Sequence, residues 1–282
     1  MSAILLDGKA LADKIVRDCQ AKAERLQPTL AVILVGDDPA SAVYVRNKKR
    51  ACERAGIRSL SFEYPADITE AALLAKIAEL NTDDSVTGFI VQLPLPRHIR
   101  EPLVIRAIDP KKDVDGFHAY NLGKMFLSKD FEDLPPATPA GIIRLLDEYG
   151  IDPSGKEAVV VGRSNIVGKP ISTMLLNRSA TVTTCHSRTA DLAVHTRRAD
   201  ILVVAVGKAH LITAKMVKPG AVVIDAGMNR LESGKLVGDV EFETVAEVAA
   251  HITPVPGGVG PMTVASLIAN TVRAAEPRQE TD

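Results

Sequence analysis

The chain has 282 residues, of which 46% are apolar and 24% are charged, and its formal net charge is -1. This length is sufficient for two domains that each bury a core, and the near-neutral charge argues against a protein that binds nucleic acid or an anionic membrane. Aromatic residues make up only 4% of the chain and tryptophan is absent, so stacking platforms for single-stranded nucleic acid are not expected.

Helical and strand patterns alternate through the first half of the chain. Helical spacing covers 8–26, 39–55 and 69–80, and apolar strand patterns cover 29–35, 57–64 and 86–93. Pro39 suits a helix start, Gly56 a helix end, and Thr69 or Asp67 a helix cap. The resulting β-α-β-α-β order predicts a parallel sheet with right-handed crossovers.

The stretch 110–139 has weak periodicity, and we interpret it as functional loops and the crossing to a second domain. A second series of alternating elements follows. Strands are predicted over 158–161, 180–185, 199–206 and 221–224, and helices over 138–149, from the turn after Gly162 to Asn177, and over 261–275. The pattern therefore predicts an α/β protein with two domains, the second a Rossmann-like domain with a parallel sheet.

The turn after the strand 158–161 has the position of a dinucleotide-binding turn. Gly162 follows a strand and precedes a helix, an arrangement that brings backbone amides and a helix N-terminus to a pyrophosphate. The full G-x-G-x-x-G spacing is missing, so a plain strand–helix turn stays open as an alternative. We assign the cofactor contacts to Gly162, Arg163, Ser164, Val167 and Gly168, with Ser187 and Arg188 at the end of the next strand.

The end of that next strand indicates which dinucleotide is bound. NAD-binding domains usually place an acidic residue there to hold the ribose hydroxyls, but Cys185-His-Ser-Arg188 has none. Arg163, Ser187 and Arg188 could instead surround a 2′-phosphate, which favours NADP over NAD. The alternative is that both arginines are solvated surface residues.

The three cysteines, Cys19, Cys52 and Cys185, are far apart and have no zinc-ligand or paired spacing. The N-terminal residues lack the pattern of a signal peptide, and no apolar run is long enough to cross a bilayer. We therefore expect a cytoplasmic protein that needs no metal ion and binds neither nucleic acid nor a membrane.

Six strings in the chain together resemble one family, the bifunctional methylenetetrahydrofolate dehydrogenase/methenyltetrahydrofolate cyclohydrolases. They are ASAVYVRNK (40–48), VQLPLP (91–96), KDVDG (112–116), GRSNIVGKP (162–170), ATVTTCHS (180–187) and TPVPGGVGPMT (253–263). The resemblance spans nearly the whole chain in the family's order. It implies a folate-binding catalytic domain over 1–120 joined by a C-terminal helix 261–282, an NADP-binding domain over 140–260, and a homodimer.

The resemblance also implies roles for individual residues. Lys48 would be the acid/base of hydrolysis, a role open to a lysine whose pKa is lowered by burial, with Tyr44 closing over the pterin. Gln92 would hydrogen-bond Lys48, and Asp115 would grip the pterin, while Asp113 would be structural. Pro256, Gly257 and Gly258 would line the folate and nicotinamide.

Several alternatives stand beside this interpretation. Without the resemblance, Lys48 in Arg46-Asn-Lys-Lys-Arg50 fits a solvated helix face, and Gln92 fits a strand end at the surface. The chain could be a monofunctional dehydrogenase of the same family or a non-catalytic dinucleotide-binding protein. It could also be an amino-acid or shikimate-type dehydrogenase of the same layout, since fold does not fix function.

Overall fold

The computed structural model describes residues 3–277, which form eleven strands and ten helices. The strands are β1 Ile4–Leu5, β2 Thr29–Val35, β3 Arg58–Tyr64, β4 Gly88–Val91, β5 Glu157–Val161, β6 Thr181–Cys185, β7 Ile201–Val204, β8 Val222–Asp225, β9 Asn229–Arg230, β10 Leu236–Val237 and β11 His251–Ile252. The helices are α1 Gly8–Leu26, α2 Pro39–Ala55, α3 Glu70–Thr82, α4 Glu101–Ala107, α5 Ala119–Leu127, α6 Ala137–Glu148, α7 Gly168–Leu176, α8 Leu192–Thr196, α9 Phe242–Val245 and α10 Val259–Ala274.

The chain divides into two compact units, which we name after their sheets. The three-stranded unit contains Asp13–Lys124, Glu132–Ala137 and the chain after Thr263. The six-stranded unit contains the chain before Asp13, Met125–Phe131 and Thr138–Thr263. The N-terminal residues differ from the sequence-based boundary, because β1 pairs with β11 and so joins the six-stranded sheet. Residues 278–282 of the predicted C-terminal helical segment lie outside the described part of the chain.

The three-stranded sheet is parallel and has the order β3-β2-β4. All seven residues of β2 are buried, as expected of a central strand covered on both faces. Its core brings Ile33 and Phe89 of the sheet against Leu73 and Ile77 of α3. Since all three strands run the same way, their carboxyl ends meet at one edge, where ligands of open α/β sheets bind.

The six-stranded sheet has the order β1-β11-β8-β7-β5-β6, and every pair in it is parallel. The inner strands β7 and β8 are buried at every position. The α/β class and the parallel sheet predicted from the sequence are confirmed. No helix within residues 3–277 is both long and apolar enough to cross a membrane.

The prediction of loops throughout 110–139 is wrong, because α5 and a short 3-10 turn at Lys129–Phe131 lie within it. The side chain that caps α5 lies six residues before the first residue of the helix. The carboxylate of Asp113 accepts hydrogen bonds from the backbone N–H groups of Phe117 (3.3 Å) and His118 (2.8 Å), just before α5 begins. A cap several residues ahead of its helix, followed by a glycine at Gly123, weakens the helical signal in the sequence.

Candidate active site

Helix α2 presents Tyr44 and Lys48 on one face. The helix begins after Asp38, whose carboxylate accepts from the backbone N–H of Ser41 (2.8 Å), and it ends at Gly56 in the left-handed conformation. Four residues separate Tyr44 from Lys48, so they are neighbours on the helix surface. The side chain of Lys48 is buried, with 6% exposed, whereas its neighbour Lys49 is exposed. A solvated face therefore does not describe Lys48.

Gln92 lies immediately after β4 at the carboxyl edge of the three-stranded sheet. Its backbone N–H donates to the carbonyl of Ile33 (2.9 Å), which continues the strand pairing by one residue. Its side-chain Nε2 donates to the carbonyl of Leu93 (2.8 Å), and its Oε1 accepts from Lys48 Nζ (3.1 Å). Because both ends of the amide are bonded, the oxygen is held toward the lysine.

Asp115 is the second ionisable group at this edge. Burial raises the pKa of its carboxyl, the positive charge of Lys48 acts in the opposite direction, and the charge of Asp113 adds to the increase. Asp113 is held by three protein donors, since Asn121 Nδ2 (2.9 Å) joins the two backbone N–H groups already described. No donor among residues 3–277 bonds to the Asp115 carboxylate, so its oxygens are open to a ligand. Asp113 behaves as the structural carboxylate that the sequence suggested.

Tyr44, one helical turn before Lys48 on α2, is partly buried. Burial raises the pKa of its phenol above the usual value of 10.0, so the hydroxyl stays protonated at neutral pH. Tyr44, Lys48, Gln92 and Asp115 thus all belong to the three-stranded unit. The site offers an aromatic ring, a buried amine with a fixed hydrogen-bond partner, and an open carboxylate.

In the six-stranded unit, the turn after β5 leaves no room for side chains at its two glycines. Gly162 has φ +128, and a Cβ there would lie 2.3 Å from the carbonyl oxygen of Ala205. A Cβ on Gly168 would lie 2.3 Å from the carbonyl oxygen of Gly162. Ser164 Oγ accepts from the backbone N–H groups of Val167 (3.1 Å) and Gly168 (3.2 Å). The hydroxyl of Ser164 therefore has a structural partner at the start of α7.

The turns after β5 and β6 lie side by side, because these strands pair in register from Glu157 with Thr181 to Val161 with Cys185. Arg163 and Arg188 are both exposed at this edge, as is Ser187. The second turn is fixed by the backbone N–H of Arg188 donating to His186 Nδ1 (3.1 Å). This edge presents two guanidinium groups and no carboxylate at the end of β6, a donor set that fits phosphate oxygens.

The loop Pro256-Gly257-Gly258 is also held tightly within the six-stranded unit. The backbone N–H of Lys9 donates to the carbonyl of Gly257 (2.9 Å), and that of Gly258 donates to the carbonyl of Pro254 (2.8 Å). A Cβ on Gly8 would lie 1.9 Å from the carbonyl oxygen of Gly258. The N-terminus of α1 and this loop thus approach each other closely through glycines.

Sequence reasoning missed two polar features of the framework. Asn270 is a buried amide on helix α10. Asp225, the last residue of β8, and Asp239, two residues after β10, are buried carboxylates. Asp239 accepts from the backbone N–H groups of Val206, Gly207 and Lys208, at 2.7–3.0 Å. A polar residue within or just after an apolar run is the sequence feature that could have indicated these positions.

Two family models match this chain in succession. The model described as the tetrahydrofolate dehydrogenase/cyclohydrolase catalytic domain matches residues 6–115, and the NAD(P)-binding domain of the same family matches 136–279. The chain belongs to the tetrahydrofolate dehydrogenase/cyclohydrolase family. The resemblance inferred from six strings is confirmed, and the alternative of an amino-acid or shikimate-type dehydrogenase is removed.

Full-length relatives of this family agree with the assignment. The chain is 57% identical to the bifunctional protein FolD of Aromatoleum aromaticum, with 98% of each chain covered. It is similar to the crystal structure of the bifunctional dehydrogenase/cyclohydrolase of Campylobacter jejuni, with a TM-score of 0.93 and 52% identity over 97% of this chain and 99% of that one. The Trypanosoma brucei enzyme, solved with NADP and an inhibitor, has a TM-score of 0.94 and 37% identity over 98% of both chains.

Proposed function

We propose that this protein oxidises 5,10-methylenetetrahydrofolate to 5,10-methenyltetrahydrofolate with NADP and then hydrolyses that product to 10-formyltetrahydrofolate. The observation that carries the proposal is the buried Lys48, bonded to Gln92 and within electrostatic reach of the open carboxylate of Asp115. Relatives that match this chain over its full length are named as bifunctional enzymes.

Asp115 and Tyr44 bind the pterin in this proposal. A carboxylate accepts two parallel hydrogen bonds, which suits the amino and ring N–H groups of a pterin, and no protein donor within residues 3–277 competes for it. Tyr44 supplies an aromatic ring over the same ligand. Asp115 also lends negative charge to a site where the substrate becomes cationic, and this favours loss of hydride.

Lys48 moves the protons of the hydrolytic step. Its Nζ accepts a proton from the water that attacks the methenyl carbon. It then returns a proton to the ring nitrogen that leaves as the ring opens. Gln92 Oε1 accepts a hydrogen bond from Nζ (3.1 Å), so it fixes the direction of the amine through both events. Burial excludes other water from the amine.

The residues of the six-stranded unit fit a dinucleotide. Gly162 and Gly168 leave the backbone bare where a pyrophosphate needs close approach, and Val167 precedes the first turn of α7. Arg163, Ser187 and Arg188 bind the 2′-phosphate, which distinguishes NADP from NAD. When bound, NADP accepts the hydride. Pro256, Gly257 and Gly258 line the folate and the nicotinamide with backbone.

The resemblance supports three further parts of the proposal. The three-stranded unit, which holds most of the predicted ranges 1–120 and 261–282, is the catalytic, folate-binding domain, and the six-stranded unit, which holds the predicted range 140–260 and also the residues before Asp13, is the NADP-binding domain. The protein acts as a homodimer in one-carbon metabolism and supplies the formyl donor of purine biosynthesis. It works in the cytoplasm, a reducing compartment that suits Cys19, Cys52 and Cys185, none of which forms a disulfide.

Initial rates with 5,10-methylenetetrahydrofolate, measured by absorbance with NADP and with NAD in parallel, test the proposal. We expect reduced cofactor to form with NADP and more slowly with NAD. Absence of reduction with either cofactor would refute the dehydrogenase. Faster reduction with NAD would refute the roles of Arg163, Ser187 and Arg188 while leaving the folate site intact. A separate assay with 5,10-methenyltetrahydrofolate alone distinguishes the bifunctional enzyme from a monofunctional dehydrogenase.

A further inference from the structure

Asn270 is a buried amide that donates hydrogen bonds to two backbone carbonyls distant in sequence. It lies on α10 with 2% of its surface exposed. Its Nδ2 donates to the carbonyl of Val114 (2.9 Å) and to the carbonyl of Pro135 (2.9 Å). An amide nitrogen carries two hydrogens, so both donors are used and the side chain is fixed in orientation.

The carbonyl of Val114 belongs to the peptide bond that leads into Asp115. The segment that contains Pro135 contacts the residues that follow. The backbone N–H of Ala137 donates to the carbonyl of Asp115 (3.3 Å), and a Cβ on Gly116 would lie 2.5 Å from the carbonyl carbon of Pro135. Asn270 thus ties together the two backbone segments that surround Asp115.

The carboxylate of Asp115 has no protein donor of its own within residues 3–277, so side-chain hydrogen bonds do not determine its position. Its backbone determines where the oxygens lie, and Asn270 is the side chain that fixes this backbone from a distant helix. A displacement of about 1 Å in a substrate-positioning group can cost on the order of 100-fold in rate or affinity. Loss of the Asn270 side chain should therefore weaken folate binding, because it displaces Asp115.

We propose that Asn270 is a positioning residue for the pterin-binding carboxylate of Asp115. It acts by holding the carbonyls of Val114 and Pro135 at a fixed separation. The inference rests on the proposed folate site and adds to it a residue more than 150 positions away in the sequence. A purely structural role for Asn270 would lower stability without selectively weakening folate binding.

The test is the dissociation constant for tetrahydrofolate, which carries the pterin but has no one-carbon unit to react, measured by calorimetry on the full chain. We expect Asn270→Ala to weaken tetrahydrofolate binding roughly 10- to 100-fold while leaving NADP binding within about twofold. The matched control is Thr271→Val. Thr271 is the next residue on α10, is also buried, and bonds only within its own helix through the carbonyl of Leu267 (2.8 Å). It should leave both constants within about twofold.

A double-mutant comparison separates positioning from general damage. In an Asp115→Ala background, Asn270→Ala should weaken tetrahydrofolate binding no further. The inference is overturned if Asn270→Ala leaves wild-type affinity within twofold, or if its effect is undiminished without Asp115. It is also overturned if Asp115→Ala binds as tightly as wild type. If the wild-type protein fails to bind tetrahydrofolate, the proposed function itself fails. Should Asn270→Ala not fold, Asn270→Ser keeps one donor and is measured in the same way.

Discussion

At the scale of single residues, Lys48 carries the hydrolytic half of the proposed chemistry. Lys48→Met removes the amine but keeps a chain of similar length in the buried position next to Gln92. We expect hydrolysis of 5,10-methenyltetrahydrofolate to fall by about 10²- to 10⁴-fold, the usual contribution of a general acid/base. The measurement is the disappearance of methenyltetrahydrofolate absorbance under saturating substrate.

Lys49→Met is the matched control, since Lys49 is the exposed neighbour on the same helix. It should hydrolyse methenyltetrahydrofolate at the wild-type rate. If the Lys48→Met variant hydrolyses methenyltetrahydrofolate at the wild-type rate, the buried amine is not the acid/base.

The buried carboxyl of Asp225 predicts that the stability of the protein depends on pH. Burial raises the pKa of its carboxyl from 3.8 to about 6, with the Asp239 charge acting in the same direction, while backbone N–H donors oppose the increase. The folded protein therefore binds this proton more tightly than the unfolded chain does. From this group alone, stability falls as pH rises from 3.8 to about 6.

Asp225→Asn removes that titration. Relative to the variant, wild type should lose on the order of 1–3 kcal/mol of unfolding free energy across this window, measured by urea denaturation at several pH values. Asp200→Asn is the control, because a hydrogen bond from Lys218 lowers the pKa of Asp200 below 3.8, so its titration lies below the window. A difference between wild type and Asp225→Asn that is constant with pH would contradict the raised pKa.

The residue scale is also where sequence reasoning has its limits. Lys48 and Lys49 are indistinguishable by type within one basic run, and only the path of α2 makes one buried and the other exposed. Gln92 and Asp115 were identified through the family's strings. Asn270 was missed because its partners, Val114 and Pro135, are distant in sequence and are contacted through backbone atoms that no side-chain pattern reveals.

At the scale of elements, the N-terminus of α1 and the loop Pro256-Gly257-Gly258 restrict each other. Gly8→Ala would place a Cβ 1.9 Å from the carbonyl oxygen of Gly258, so the helix or the loop must move. We expect a loss of about 1–3 kcal/mol in stability, as for other overpacked sites, together with a higher KM for folate or NADP. Urea denaturation and initial rates measure the two effects.

Gly123→Ala provides the comparison for Gly8→Ala. Gly123 lies inside α5, and a Cβ there would meet nothing within 4 Å. This change should stabilise the protein by about 0.5–1 kcal/mol through helix propensity and leave KM unchanged. If both substitutions change stability and KM only slightly and to the same extent, the close approach of Gly8 to Gly258 does not limit the side chain at position 8.

Elements with strong local signals could be predicted closely. The bounds of α1, β2 and α2 match the sequence prediction, since apolar runs and the Pro39 and Gly56 boundaries mark their ends. Thr69 is confirmed as the cap of α3, with Oγ1 accepting from the backbone N–H of Ala72 (3.2 Å). The two-residue strands β1 and β11 could not be predicted, because they are defined by pairing between distant segments and not by their own composition.

At the scale of the whole molecule, the alternation of strands and helices was sufficient to predict two α/β units with parallel sheets. It did not identify a substrate, which entered through the family resemblance and is supported by the full-length relatives. The assignment of chemistry to the two units follows from where the structure places the predicted residues. The amine and carboxylates lie in one unit, and the bare glycine turn with its arginines lies in the other.

The most direct test of this account is a product balance. The purified protein is incubated with 5,10-methylenetetrahydrofolate and NADP, and reduced cofactor and 10-formyltetrahydrofolate are both quantified against an enzyme-free control. We predict that the two products form in equal amounts, faster than in the control. Reduced cofactor without faster formation of 10-formyltetrahydrofolate would contradict the second activity, and no reduced cofactor above the control would contradict the account as a whole.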